Sequence, residues 1–202
     1  MGTNLAGMKI AILVSDGFEQ VELTEPREAL HRETGIPLIL SHNKDSVLGM
    51  RHMDKADKFK VDAELRDANP EDFGAVLLPG GVVNADALRI LPEAQRFIKA
   101  IAEDGKPIAV ICHGPWLLVS SGLVRNRTLT SWPTLQDDIR CAGGKWVDQE
   151  VCVDGNWVSS RKPDDIPAFN AAMIELFAEF SKRWQHALEK NTEGKGTARP
   201  LV

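Results

Sequence analysis

The stretch Lys106-Pro107-Ile108-Ala109-Val110-Ile111-Cys112-His113-Gly114-Pro115-Trp116-Leu117-Leu118 decides the fold. Gly105 to Pro107 is a turn. Ile108 to Ile111 is a short, β-branched apolar run, as in a strand buried on both faces. A second apolar run follows Gly114-Pro115, and proline suits the first turn of a helix, where its missing N–H is no loss. Strand, sharp turn and helix with a thiol at the corner is the pattern of a nucleophile elbow. The helix beyond Cys112 aims N–H groups and a positive dipole end at the sulfur. This predicts a thiolate, the reactive form.

Working outward, Lys9 to Ser15 and Ile36 to Ser41 read as buried strands around a helix over 21–34 that Gly35 stops. Strand, helix, strand implies a parallel sheet with a right-handed crossover. Residues 42–62 are polar, and Val47 to Met50 and Lys58 to Val61 suggest a hairpin or edge strands. Ala75 to Leu78 is a third buried strand, ending in Pro79-Gly80-Gly81, where the backbone can approach a ligand closely. Pro92 to Glu103 is an amphipathic helix. Beyond the elbow, Thr128 to Ser131 reads as a strand and Pro133 to Ala142 as a helix. Short strands at Trp146-Val147, Glu150 to Val153 and Asn156 to Ser160 include a hairpin signal at Asp154-Gly155. A long helix from Asp164 to about Leu188 carries Ile166, Phe169, Met173, Ile174 and Phe177 as its apolar stripe. The expected organisation is one domain over 1–190 and a frayed tail over 191–202.

Composition narrows the function classes. Apolar residues make up 43% and charged residues 26%, ordinary for a globular chain. A net charge of −5 argues against a nucleic-acid partner. No apolar run is long enough to span a bilayer, and no signal peptide is apparent. Three cysteines without regular spacing make no disulfide framework, which points to a reducing, cytoplasmic setting. His31, His42 and His52 lack metal-ligand spacing, so neither metal nor cofactor is implied.

In an open parallel sheet, ligands bind beyond the carboxyl ends of the strands. Three such ends supply Asp16 to Glu19, Pro79-Gly80-Gly81 and Cys112-His113. Together they could perform nucleophilic chemistry. Cys112 would attack a carbonyl carbon, and the amides of Gly81 and His113 would hold the oxyanion. A carboxyl of the first loop, or His113, would move the proton. Taken singly, the same residues have blander readings: Cys112 as a buried core cysteine, Glu19 as a helix-dipole acid, Asp86 as a helix cap.

The chain resembles the PfpI/ThiJ superfamily, related in fold to class I glutamine amidotransferases. The resemblance runs roughly from Lys9 to Phe177. It is carried by Gly17-Phe18-Glu19-Gln20-Val21-Glu22-Leu23, Leu78-Pro79-Gly80-Gly81, Ala109 to Pro115, Thr130-Ser131-Trp132-Pro133 and Val153 to Arg161. It is closest to the PfpI branch, which includes general stress proteins.

This resemblance implies a three-layer α/β/α sandwich, flavodoxin-like, with a mostly parallel sheet. It implies a protonated Glu19 against the Cys112 sulfur, an anion site at Gly80, Gly81 and Gly114, and His113 and Trp132 lining the pocket. It also implies a homo-oligomer, dimer or hexamer, with the pocket near a subunit interface and an acid of the neighbouring subunit orienting the histidine. Here the chain departs from the family: the corresponding position carries Asp86, shorter than glutamate and one place later, and Arg89 could pair with it instead. The resulting expectation is a stress-response hydrolase or glyoxalase/deglycase-like enzyme acting on reactive carbonyls through Cys112. The alternatives are an intracellular cysteine peptidase acting on peptides and a non-enzymatic redox sensor.

Overall fold

Residues along each central strand alternate between two cores, which is what a sheet covered on both faces requires. Ile10 and Ile12 face one apolar cluster, and Ala11 and Leu13 face the other. The structure, a computed structural model, describes Leu5 and residues 7–193.

In chain order the elements are β1 (Lys9–Leu13), β2 (Phe18–Glu19), α1 (Gln20–Arg32), β3 (Ile36–Ser41), β4 (Ser46–Arg51), β5 (Asp54–Lys60), β6 (Ala63–Glu64) and β7 (Ala75–Leu78). Then come α2 (Val82–Arg89), α3 (Pro92–Glu103), β8 (Ile108–Ile111), α4 (Pro115–Ser120), β9 (Thr128–Leu129) and α5 (Gln136–Cys141). The last elements are β10 (Lys145–Trp146), β11 (Val151–Asp154), β12 (Trp157–Ser160) and α6 (Ile166–Glu193).

The main sheet runs β11-β12-β8-β7-β1-β3-β6, parallel throughout except for the antiparallel β11. Leu23 and Leu30 of α1 and Phe169, Met173 and Phe177 of α6 fill one face. Phe97, Ile98 and Ile101 of α3, with Leu117 and Leu118 of α4, fill the other. This is the expected α/β/α sandwich. From β1 the chain first steps to β3 and later returns to β7 on the opposite side. The strand order therefore reverses at β1/β7, the place where such sheets leave a crevice. The ends of β1, β7 and β8 lie side by side there.

Several local expectations need correction. The 42–62 segment does form a hairpin, but its second strand begins at Asp54, because His52 takes a left-handed φ of 57° and turns the chain at once. Of Thr128 to Ser131 only the first two residues pair, with β10 in a separate two-stranded sheet. Pro133–Leu135 is a 3₁₀ turn preceding α5. α2 was unanticipated, since its β-branched start disguises it. α6 runs to Glu193, past the expected end near Leu188; of the expected tail, residues 194–202 lie outside the described residues.

Asn84 of α2 fastens this crevice. Its fully buried side chain accepts from Ser15 N–H (2.6 Å), just beyond β1, and donates to the carbonyls of Pro79 (3.1 Å) and Gly80 (2.8 Å) beyond β7. Asn84→Ala strands these backbone groups in a dry setting. It should lower unfolding free energy by about 2–4 kcal/mol in urea melts, against less than about 0.5 kcal/mol for the exposed neighbour Asp86→Ala.

Candidate active site

Cys112 leaves β8 with φ 60°, in the left-handed region that a non-glycine residue enters only under constraint. Both its backbone groups are tied: its N–H donates to Ser160 O (3.1 Å), and its carbonyl accepts from Trp132 N–H (2.9 Å). Gly114 completes the bend, its amide donating to Ile111 O (2.9 Å). A Cβ at Gly114 would lie 2.6 Å from Leu78 O. Gly114 is thus a packing glycine whose N–H is already used, not the expected anion donor.

The carboxyl beside the sulfur belongs to Glu22, not Glu19. Glu22 is fully buried in α1; its Oε2 accepts from Gly80 N–H (2.7 Å), and its carboxyl hydrogen-bonds the Cys112 thiol. No nitrogen or oxygen donor reaches Oε1, which suits an oxygen carrying its own proton. Burial pushes this carboxyl from 4.5 to about 8, against the pull of Gly80 N–H and Cys112, and the charge of Glu19 adds to the rise. Glu22 is therefore neutral at neutral pH. Glu19 stands one residue before α1, at the cavity wall, and its Oε2 accepts from His52 N–H (3.0 Å). The helical period was the available signal: Glu22 shares a face with the buried Pro26 and Ala29, at i+4 and i+7.

Gly80 and Gly81 bring the backbone against this pair. A Cβ at Gly80 would lie 2.6 Å from both Cys112 Cβ and Glu22 Oε2. The Gly80 amide serves Glu22, so it too is unavailable to an anion. Gly81, at φ 85°, directs its N–H at the sulfur, as does His113. A Cβ there would strike Gly17 O and lie 2.7 Å from Glu19 N.

The sulfur's electrostatics differ from the expectation. Burial pushes the Cys112 thiol up, and the charge of Glu22, when present, pushes the same way; the two amides pull it down. The pair resists carrying two negative charges, so a thiolate here requires the proton to sit on Glu22. His113 Nδ1 lies 3.2 Å from Sγ, and burial lowers this imidazole to about 4, leaving it neutral. The ring is held between Trp132, stacked at 5.8 Å, and Trp116, edge-on at 5.4 Å. Asp86 is exposed on α2, and among the described residues no carboxylate hydrogen-bonds the His113 ring. Arg89 does not hold Asp86; it donates to Ser120 Oγ (2.9 Å) and lies over Trp116.

These groups floor a cavity of about 630 Å³. Cys112, Glu22, His113 and Gly81 sit with Trp132 among its lining residues, as expected for all but Glu22. Among the described residues no cluster of His, Cys, Asp and Glu could hold a metal ion.

The chain is similar in sequence and in fold to known proteins. The model of the DJ-1/PfpI family matches residues 8–176. A deglycase of Thermococcus kodakarensis is 38% identical over 169 residues, covering 84% of this chain and 99% of its own. A Bacillus subtilis protein whose name proposes a cysteine protease is 38% identical over 171 residues, covering 83% of this chain and 97% of its own. Among solved structures, an Anabaena variabilis protein with DJ-1/ThiJ/PfpI-like and ferritin-like domains superposes with a TM-score of 0.77 at 30% identity. It covers 83% of this chain, which spans 47% of that one.

The raised Glu22 value has a signed consequence for stability. As pH rises from about 4.5 to about 8, the unfolded chain ionises this carboxyl while the folded chain keeps its proton, so stability falls across that window. Glu22→Gln removes the contribution. Denaturant titrations should show the variant gaining on the parent protein between pH 4.5 and 8.5, by up to about 5 kcal/mol. A difference between the two that stays constant with pH would contradict the assignment.

Proposed function

Because the chain belongs to the DJ-1/PfpI family, whose relatives named above carry enzyme names, we propose that it is a cytoplasmic stress-response enzyme that uses Cys112 on reactive carbonyls or their early adducts. The observation that carries this reading is the neutral, fully buried Glu22 carboxyl hydrogen-bonded to the Cys112 sulfur at the floor of a cavity. No described helix is long and apolar enough to cross a membrane.

For a 2-oxoaldehyde, Sγ bonds to the aldehyde carbon. The displaced carbonyl electrons take the proton carried by Glu22, and the amides of Gly81 and His113 steady the oxygen meanwhile. The carboxylate so formed removes the C1 hydrogen as a proton. The resulting enediol regains a proton at C2 and leaves a thioester at C1. Water then attacks the thioester, the S–C bond breaks, and the sulfur departs as the thiol. C1 is oxidised and C2 reduced, so the product is a 2-hydroxy acid and water is the sole co-reactant. An early amine adduct enters at the same hemithioacetal once the amine departs.

A peptidase reading is favoured by one distance, the 3.2 Å between Sγ and Nδ1. It needs an acid to orient His113, such as Asp86 of a neighbouring copy. A homo-oligomer, dimer or hexamer, with the pocket near the subunit interface, belongs to both readings. The exposed Val82 and Val83 of α2, which line the cavity, with exposed Ile90 at the helix's far end, support that arrangement.

Following methylglyoxal by absorbance tests the first reading. Cys112→Ser should abolish its consumption, and Glu22→Gln should lower kcat by about 10²–10⁴-fold. Consumption that survives Cys112→Ser overturns the proposal. Cleavage of unfolded protein by the assembled oligomer, lost on His113→Ala, would favour the peptidase.

A further inference from the structure

The cavity is far larger than the smallest carbonyls require. The five non-hydrogen atoms of methylglyoxal fill at most about 150 Å³, taking for each a water's share of liquid volume, against about 630 Å³ available. The remaining space has a consistent character. The polar groups Cys112, Glu22, His113 and Gly81 gather at the floor. The walls are mainly apolar, with Met50, Met53, Val82, Val83, Trp116 and Trp132, and Glu19, His52 and Thr134 are the polar exceptions. A ligand matching this distribution has one reacting polar end and an apolar body.

One wall comes from a small sheet distinct from the main one. Met50 lies on β4, and His52 and Met53 form the tip of the β4–β5 hairpin, which is not part of the main sheet. The hairpin is fastened to the first loop at successive points. Near its base, Asp16 accepts from Leu48 N–H (2.7 Å), and Gly17 N–H donates to Leu48 O (2.8 Å). On β5, Gln20 and Asp57 exchange two hydrogen bonds of 2.7 and 2.8 Å. At the tip the bond is the one from His52 N–H to the Glu19 carboxylate. Met53 beyond it is 89% exposed, so its thioether is ready to be covered by a ligand rather than by the protein.

We propose that the hairpin tip is the specificity element of the Cys112 site, selecting electrophiles that carry an aryl or branched alkyl group within a few atoms of the reacting carbon, with Glu19 as the positioning residue that fastens the tip. This deepens the proposed function in that it rests on Cys112 as the reacting group, but it does not depend on which reaction follows.

Alkylation of the full chain tests it without turnover. Iodoacetamide and its N-phenyl analogue are compared by mass spectrometry of the Cys112 peptide, with the exposed Cys141 on α5 as internal reference. Relative to Cys141, Cys112 should prefer the phenyl reagent by about tenfold, with a rate that saturates. Met53→Ser and Val83→Ser, both at exposed positions, should each reduce that preference. Glu19→Ala should reduce it and speed hydrogen exchange at the His52 amide, whereas Glu19→Gln, which keeps an acceptor oxygen, should restore both. A preference at Cys112 equal to that at Cys141, or one unmoved by all three hairpin and wall variants, overturns the proposal. Absence of methylglyoxal turnover with the phenyl preference intact overturns the glyoxalase reading and supports this one.

Discussion

A carboxyl group and a thiol, pressed together at the buried floor of the cavity, set the terms for the whole crevice. Neither can take a charge cheaply in that setting, and both cannot take one at once. The site's chemistry follows from this single restriction: one proton is shared, and whichever group lacks it is the reactive one. The restriction also dictates backbone. Gly80 must lack a side chain so that its N–H can reach Glu22, and Cys112 must adopt a conformation other residues avoid so that its sulfur stands over the same spot. Asn84, touching neither reacting group, holds together the two strand ends that make this approach possible.

That arrangement depends on the sheet. β1, β7 and β8 are adjacent and parallel, so their carboxyl ends deliver the first loop, the glycine pair and the cysteine to one place. α1 leaves the first loop and presents Glu22 from the side. The two cores on either face of the sheet make the platform rigid, and the strained turn at Cys112 survives because Ser160 and Trp132 hold both its backbone groups.

Much of this was legible in the chain itself. The apolar run before Cys112 and the Gly80-Gly81 pair are local signals that stand where they were read, and the hairpin signalled at Asp154-Gly155 forms one residue later, because Asp154 still pairs with Trp157 and leaves Gly155-Asn156 as the loop. Cys112, His113, Gly81 and Trp132 meet at the cavity. The failures turn on contacts that only the folded chain makes, some of them with partners distant in sequence. Glu19 and Glu22 sit three residues apart in one motif. Which of them faces the sulfur depends on α1 starting at Gln20, a boundary that a short strand before the helix blurs. Gly80 and Gly114 looked like free donors because their acceptors, Glu22 and Ile111, come from the folded arrangement. Asn84 carries no local sign at all: its three bonds reach across to β1 and β7.

The hairpin that walls the cavity is polar along its outer strand. β5 borders only β4, so one side of its backbone is a bare edge, and Lys55, Lys58 and Lys60 stand exposed along it. Unsatisfied strand edges recruit further strands, and charged lysines discourage that by repelling an incoming copy. The part of the molecule least tied to the main sheet therefore carries its own protection against aggregation. Substitutions that neutralise those lysines would threaten solubility even with the chemistry at the cavity floor untouched.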